Sequence, residues 1–283
     1  MILIATCREY PEPTPSVGLL LEALRARGAT AELRIWTDTP VEAFADADLV
    51  LPICCWDYHA DPLRFARWVD ALDGAGARLV NGPEVLRWNL RKTYLLEMAR
   101  HGLAVPTTVH LRATGMGTVA TAMEQAGWQS AIVKPVSGQS GHGVQKLDLA
   151  RRADWSLAGY GGGEALLQEF QPDIGTLGES TLTFIDGAFS HAIRRRLKPG
   201  EWRANLQYGV TPEAFDPDPD LIAAARRYLA AAPEMPLYAR VDGIARPGGF
   251  LLMELELIEP YFYLEFAPGS VDRLAKALIG RSA

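Results

Sequence analysis

The chain of 283 residues is 48% hydrophobic and 22% charged, a balance typical of a globular protein and not of a disordered or fibrous one. Its net charge of −6 argues against nucleic acid or an anionic membrane as the main partner. No apolar run reaches membrane-spanning length, and the first apolar run is too short for a signal peptide. Two of the three cysteines are adjacent, a spacing that rarely forms a disulfide, and none has zinc-site spacing. We therefore expect a reduced, cytoplasmic setting.

The first eighty residues alternate between strand-like and helix-like segments. Apolar runs predict strands at 2–6, 31–36 and 49–54 and from Leu79 onward. Helices are predicted at 17–27 and 62–73, where Ser16 and Asp61 are the expected N-caps. This alternation indicates a parallel sheet covered by helices. The loop after the first strand lacks the glycine fingerprint of dinucleotide sites, so no nucleotide is expected there.

The sequence Asn81-Gly82-Pro83 predicts a domain boundary, because turn residues interrupt the pattern there. We therefore predict an N-terminal βαβ domain at 1–82, a linker helix with a lid subdomain at 83–170, and a catalytic subdomain at 171–283.

A helix is predicted from Asn89, as its cap, to Arg100, with Lys92 in the first turn. A cation at that position opposes the helix dipole, so Lys92 is either a solvated surface residue or a ligand for an anion.

A glycine-rich loop, SGQSGHG at 137–143, separates predicted strands at 131–136 and 144–147. Glycines let backbone N–H groups surround phosphate oxygens, although such a loop is often only a turn. Lys134 lies in the apolar strand just before it, and a lysine in such a strand needs an anionic partner. Together the two features predict a phosphate site.

The next segments are a short strand at 166–170 and a hairpin with strands at 179–185 and 188–197. Asp186-Gly187 is a strong signal for the hairpin turn. Three consecutive arginines at 194–196 alternate across the second strand, so one or two must face inward. Helices are predicted at 218–232 and 271–279.

A second predicted hairpin carries three carboxylates. Its strands lie at 237–245 and 250–258, and strand parity puts Glu254 and Glu256 on one face. A three-residue connection at 247–249 would pair Arg246 with Phe250 and Asp242 with Glu254, with Gly249 in the left-handed region. The three carboxylates would then converge on Mg²⁺ or Mn²⁺, or form an acidic ladder on a solvated sheet face.

The ordered series Lys92, Lys134 in VKP, the loop SGQSGHG, QEF at 168–170, Arg203, Arg240-Val-Asp242 and MELELIEP resembles the ATP-grasp superfamily of carboxylate ligases, on its glutathione-synthetase-like side. The likeness runs from about Asn81 to the end of the chain. It implies an α/β ATP-grasp fold that combines the parallel N-terminal domain with a lid and an antiparallel catalytic subdomain.

The resemblance also implies a role for each residue of the series. Lys92 and Lys134 would contact ATP phosphates, and the loop residues Ser137, Gly138, Gln139, Ser140, Gly141 and Gly143 would fold over them. Gln168, Glu169 and Phe170 would hold adenine, and Glu179, or alternatively Asp173, the ribose. Arg203 and Arg240 would stabilise charge on the transferred phosphoryl and acyl oxygens. Asp242, Glu254 and Glu256 would bind two Mg²⁺, although many relatives have Asn where Glu256 stands.

The implied reaction activates a substrate carboxylate as an acyl phosphate, which an amine-type nucleophile then attacks. The N-terminal ATCREYPEPTP and the overall layout are similar to the D-cycloserine synthetases, cyclo-ligases that convert O-ureido-D-serine to an antibiotic. The alternatives are an intermolecular amino-acid or peptide ligase and a non-catalytic ATP-binding regulator. We expect a small amino-acid-like substrate, a homodimer, and no nucleic-acid or membrane partner.

Overall fold

The computed structural model describes residues 1–282, an α/β protein in which helices cover three β-sheets. The sheets contain three, five and four strands in the described range. Over the same residues, no helix combines the length and apolar character needed to cross a membrane.

The N-terminal sheet is parallel, as predicted, with strand order β2-β1-β3. Its strands are β1 (Ile2–Thr6), β2 (Ala31–Ile35) and β3 (Leu49–Cys54). Its helices are α1 (Pro15–Ala26), α2 (Val41–Ala45) and α3 (Pro62–Gly74). The Asp61 side chain accepts from Arg64 N at 2.9 Å and caps α3, as expected. The strand predicted from Leu79 is reduced to one isolated bridge with Val50.

The predicted cap at Ser16 is wrong. Helix α1 begins at Pro15, and its N-cap, Thr14, makes no side-chain capping bond. Ser16 Oγ instead donates to Glu265 Oε2 (2.6 Å) and accepts from Leu264 N (3.0 Å). A buried hydroxyl is used by whichever group packs against it, and here that group lies at the opposite end of the chain.

The predicted helix from Asn89 to Arg100 is shorter than expected, because α5 covers only Tyr94–Arg100, and a separate helix, α4 (Gly82–Asn89), precedes it. Asn89 ends α4 instead of capping a helix, and its side chain bonds to Leu255 O (2.8 Å) and Leu257 N (2.9 Å). Lys92 therefore lies in the short connection before α5, where its backbone N–H donates to Val136 O at 2.8 Å.

The four-stranded sheet is antiparallel with order β4-β7-β5-β6, and it supports the glycine-rich loop between β5 and β6. Its strands are β4 (Thr108–Leu111), β5 (Ser130–Pro135), β6 (Gln145–Asp148) and β7 (Ala165–Glu169). Helix α6 (Met116–Ala126) packs on one face through buried Val119 and Met123.

The five-stranded sheet is antiparallel with order β10-β9-β8-β11-β12. Its strands are β8 (Glu179–Ile185), β9 (Ala188–Arg196), β10 (Thr211–Ala214), β11 (Tyr238–Arg246) and β12 (Gly249–Glu256). Helices α7 (Ile174–Leu177), α8 (Pro219–Arg226) and α9 (Pro268–Ser282) complete the chain. Asp186 and Gly187 have φ of 51° and 69°, which confirms the predicted β8–β9 turn.

The β11–β12 register confirms the predicted pairing of Asp242 with Glu254, but for a different reason. The connection has two residues, so Arg246 pairs with Gly249, and Gly248 (φ 81°) takes the left-handed conformation expected for Gly249. With that turn alone Asp242 would face the wrong side. A bulge that leaves Met253 unpaired shifts the register by one and restores the pairing.

Candidate active site

A cavity between the four-stranded and five-stranded sheets brings most of the predicted site residues together. It is lined by Lys92, Lys134, Gly138, Gln139, Gly141, Gln168, Glu169, Phe170, Glu179, Arg203, Asp242, Glu254 and Glu256. Ser137, Ser140 and Gly143 belong to the loop beside it, and Arg240 is buried next to Asp242 and Glu256. Most of the charged groups lie on β5, β8, β9, β11 and β12 and in the connection before α5, so both antiparallel sheets position them.

Lys134 is a buried ammonium group without a carboxylate partner. Its side chain is on β5, the residue is 7% exposed, and no acidic group among residues 1–282 lies within ion-pair distance of Nζ. Burial lowers the pKa of Lys134 to about 8, and the nearby Glu254 only partly opposes this. The cavity therefore contains a cation that lacks an anion.

Lys92 differs from Lys134 because it is paired. Its Nζ forms an ion pair with Glu254, and the residue is 8% exposed. Burial lowers the pKa of Lys92, but the Glu254 carboxylate more than offsets this and the pKa is raised overall. The same pairing, opposed by burial, keeps the pKa of Glu254 below its usual value.

A second group of buried charges surrounds Asp242. Arg195 Nη2 lies 2.6 Å from Asp242 Oδ2 and 2.5 Å from Glu179 Oε2. Arg240 contacts Asp242 at 2.8 Å and also pairs with Glu256. Burial raises the pKa of Asp242, but the two guanidinium groups outweigh it and lower the pKa. Burial raises the pKa of Glu179 to about 7 despite Arg195, and raises that of Glu256.

The charge cluster consists of four carboxylates and four cations: Glu179, Asp242, Glu254, Glu256, Lys92, Lys134, Arg195 and Arg240. Burial favours the protonated forms of Glu179 and Glu256, so the cluster carries a net positive charge before any ligand binds. ATP, with about four negative charges, would reverse that sign, and divalent cations would offset the excess negative charge. Carboxylate oxygens are the ligands that Mg²⁺ prefers, so the chemistry of the donors fits the metal. However, no three acidic, His or Cys side chains in the described chain converge on one point, because the carboxylates contact Lys and Arg side chains. The expected convergence on one preformed metal site is thus not found.

Two of the three glycines in the glycine-rich loop are needed for its packing. Gly141 has φ 69°, and a Cβ there would lie 2.8 Å from Asn205 Oδ1. Gly143 has φ 70°, and a Cβ there would lie 2.9 Å from Pro135 Cγ. Ser140 also has positive φ, at 49°. The loop is therefore closely packed between its own strand and the segment that contains Asn205.

The predicted adenine-binding segment, 168–170, lines the cavity. Gln168 is buried and donates to Thr108 Oγ1 at 2.9 Å, so one of its amide N–H groups is already used. Glu169 N donates to Thr107 O at 3.0 Å, whereas Phe170 N has only a long contact of 3.4 Å with Ser130 O. Lys146 lies 3.6 Å from the centre of the Phe170 ring.

Arg203, Glu179 and Asp173 occupy different surroundings. Arg203 forms an ion pair with Glu201 at 2.8 Å and stacks 3.6 Å above the ring of Tyr208. Glu179 belongs to the charge cluster, whereas the alternative ribose ligand Asp173 pairs with Arg246 at 2.6 Å. The nucleotide roles of these residues stay predictions.

Three residues at the site were not singled out from the sequence. Arg195 was one of three adjacent arginines, and only the strand's orientation selects it: it is 3% exposed, whereas Arg196 is exposed. Asn205 was given no role beside Arg203. Tyr160 donates to Val133 O (3.0 Å) and Gly143 O (2.5 Å), which ties the loop to β5. Hydrophobic periodicity in the sequence does not predict a contact of this kind between a side chain and a distant backbone carbonyl.

Comparison with known proteins agrees with this geometry. Residues 2–81 match the family model "D-cycloserine synthetase DcsG, N-terminal domain". The cycloserine biosynthesis protein DcsG of Streptomyces lavendulae is 31% identical over 280 residues, covering 93% of this chain and 92% of that protein. A glutathione synthetase of Parasynechococcus marenigrum is 30% identical over 200 residues, covering 68% of this chain and 60% of that protein.

Solved structures extend the likeness to the whole fold. The crystal structure of D-cycloserine synthetase DcsG matches with a TM-score of 0.86, 28% identity and full coverage of both chains. D-alanine–D-alanine ligase from Bacillus anthracis, solved with ATP, matches with a TM-score of 0.69 and 15% identity, covering 99% of this chain and 96% of that one. The second match shows the fold alone. The chain is an ATP-dependent carboxylate–amine ligase with the ATP-grasp fold, and it belongs to the D-cycloserine synthetase family.

Proposed function

We propose that this enzyme closes O-ureido-D-serine onto its own carboxylate to give D-cycloserine, with ATP and Mg²⁺ bound in the cavity between the two antiparallel sheets. The main support for an ATP site is Lys134, which is buried and has no carboxylate partner in the described chain. Binding of a phosphate oxygen would supply the missing anion. The cyclisation itself is supported by the similarity to DcsG over almost the whole chain.

The chain's own residues would act on charge and position. Lys92 and Lys134 would neutralise the phosphate oxygens of ATP, and the 137–143 loop would cover them and exclude water. Arg240 would stabilise the acyl oxygens during phosphoryl transfer, and Arg203 the transferred phosphoryl group. Glu169 and Phe170 would contact adenine, and Glu179 the ribose. Asp242, Glu254 and Glu256 would hold Mg²⁺, which neutralises phosphate charge when bound.

The proposed reaction has two chemical steps. A carboxylate oxygen of the substrate attacks the γ-phosphorus of ATP, giving an acyl phosphate and ADP. The nitrogen bonded to the ether oxygen then attacks the acyl carbon, forms the C–N bond of the ring, loses its proton and expels phosphate. The carbamoyl group leaves with one water as carbon dioxide and ammonia.

The experiment measures ADP release and identifies the product by mass spectrometry. O-ureido-D-serine should release ADP and give D-cycloserine, whereas its L-isomer and mixtures of amino acids should not. ADP release only with a pair of amino acids would favour an intermolecular ligase. ATP binding without turnover of any substrate would favour a regulator and refute the proposal.

A further inference from the structure

The segment after β12 contains a strained residue beside the charge cluster. Tyr263 has φ 54° and ψ 36°, in the left-handed region that an aromatic side chain rarely adopts. It is 3% exposed, so the strain is not that of a free surface loop. A strained conformation persists only where the surroundings enforce it, and such residues concentrate at functional sites.

Contacts on both sides of Tyr263 enforce this conformation. Arg240 Nη1 donates to Tyr261 O at 3.2 Å, and His191 Nε2 donates to Phe262 O at 2.6 Å. On the other side, Leu264 N donates to Ser16 Oγ at 3.0 Å. These three hydrogen bonds come from β11, β9 and α1, so three separate parts of the fold hold the segment 261–264 in place.

The clamped backbone directs the phenol of Tyr263 toward the charge cluster. Burial raises the pKa of Tyr263, and the nearby Arg195 and Arg240 guanidinium groups oppose this increase. The Asp242 and Glu256 carboxylates add to it. The phenol therefore lies near all four charged groups. Among residues 1–282, no hydrogen-bond partner is found for the Tyr263 hydroxyl, and the residue as a whole is buried. The neighbouring Tyr261 differs, because its hydroxyl donates to Glu265 Oε1 at 2.9 Å.

An unused hydroxyl donor beside two guanidinium groups suits a small anion. The cations attract the negative charge, and the phenol adds one directional hydrogen bond. In the proposed reaction the group that meets these conditions is the substrate carboxylate, which lies near Arg240 when it is activated. We propose that Tyr263 is a positioning residue that donates its hydroxyl hydrogen bond to the carboxylate of the amino-acid-like substrate. This inference rests on the proposed function.

The test compares Tyr263→Phe with wild type and with Tyr261→Phe as the matched control. Tyr263→Phe keeps the ring and the backbone and removes only the donor. We expect the KM for O-ureido-D-serine to rise about 10- to 100-fold, the range for loss of a hydrogen bond to a charged group. Binding of ATP, measured by calorimetry, and the melting temperature should not change. Tyr261→Phe should keep the wild-type KM.

Direct binding separates positioning from a structural effect. With a non-hydrolysable ATP analogue present, wild type should bind O-ureido-D-serine more tightly than its carboxamide, and Tyr263→Phe should lose about tenfold of that preference. An unchanged KM and an unchanged preference in Tyr263→Phe would overturn the inference. If wild-type protein turns over no substrate, the proposed function fails instead, and the two failures are distinct.

Discussion

Replacing Lys134 with methionine should stabilise the ligand-free protein and weaken ATP binding. The pKa of Lys134 falls from 10.5 to about 8 through burial, and each unit corresponds to about 1.4 kcal/mol. The charged lysine therefore reduces the stability of the free protein by about 3 kcal/mol at pH 7. Methionine has a similar length and no charge, so it removes this cost while filling the same space.

The sign of the pH dependence follows from the lowered pKa. Below pH 8 Lys134 is protonated in both the folded and the unfolded protein, so the full cost of burying its charge is present. Between pH 8 and 10.5 the folded state loses the proton first, so stability rises with pH, and above 10.5 the cost is gone. Lys134→Met should lack this rise.

The assay is urea denaturation of ligand-free protein between pH 7 and 9.5, with ATP affinity measured by calorimetry. Lys92→Met is the matched control, because it removes the partner of Glu254 and should destabilise the protein. A Lys134→Met protein that is less stable than wild type at pH 7, or that binds ATP with wild-type affinity, would refute the argument.

Three further predictions concern the loop, the domain contact and pH. Gly141→Ala introduces a Cβ 2.8 Å from Asn205 Oδ1 at a residue with positive φ. It should lower kcat at least about tenfold through loss of lid closure, with little change in melting temperature. A wild-type kcat in this variant would contradict the prediction. Asn89→Ala leaves Leu257 N unpaired and removes one of the two donors to Leu255 O, which keeps its bond from the Tyr94 hydroxyl. It should lower the free energy of unfolding by about 1–3 kcal/mol in urea titration, whereas a loss below about 0.5 kcal/mol would count against it. Burial raises the pKa of Glu259 to about 7, so the folded state keeps a proton that the unfolded state loses and stability falls as pH rises from 4.5 to 7. Glu259→Gln should reduce that fall by about 3 kcal/mol between pH 4.5 and 7, as measured by denaturation at each pH. Equal pH dependence of the free energy of unfolding in wild type and variant would refute it.

Local rules were sufficient for much of the chain. Asp61-Pro62 begins α3 as predicted, because a capping side chain and a preset φ act within one turn. Asp186-Gly187 forms the β8–β9 turn for a similarly local reason. The shared face of Glu254 and Glu256 follows from strand alternation alone. These features depend on neighbours in sequence, so sequence reasoning could find them.

The tertiary structure decided the features that depend on distant partners. Asn89 and Ser16 look like helix caps, but each bonds to backbone groups far along the chain. Nothing in the strand pattern specifies the bulge at Met253 that places Asp242 opposite Glu254. Burial and ion pairing separate Lys134, which lacks a partner among the described residues, from Lys92, which has one. The sequence thus determined the residue types and the local elements of this ligase. Long-range packing decided which charges meet, because a buried polar group bonds to whatever the fold brings beside it.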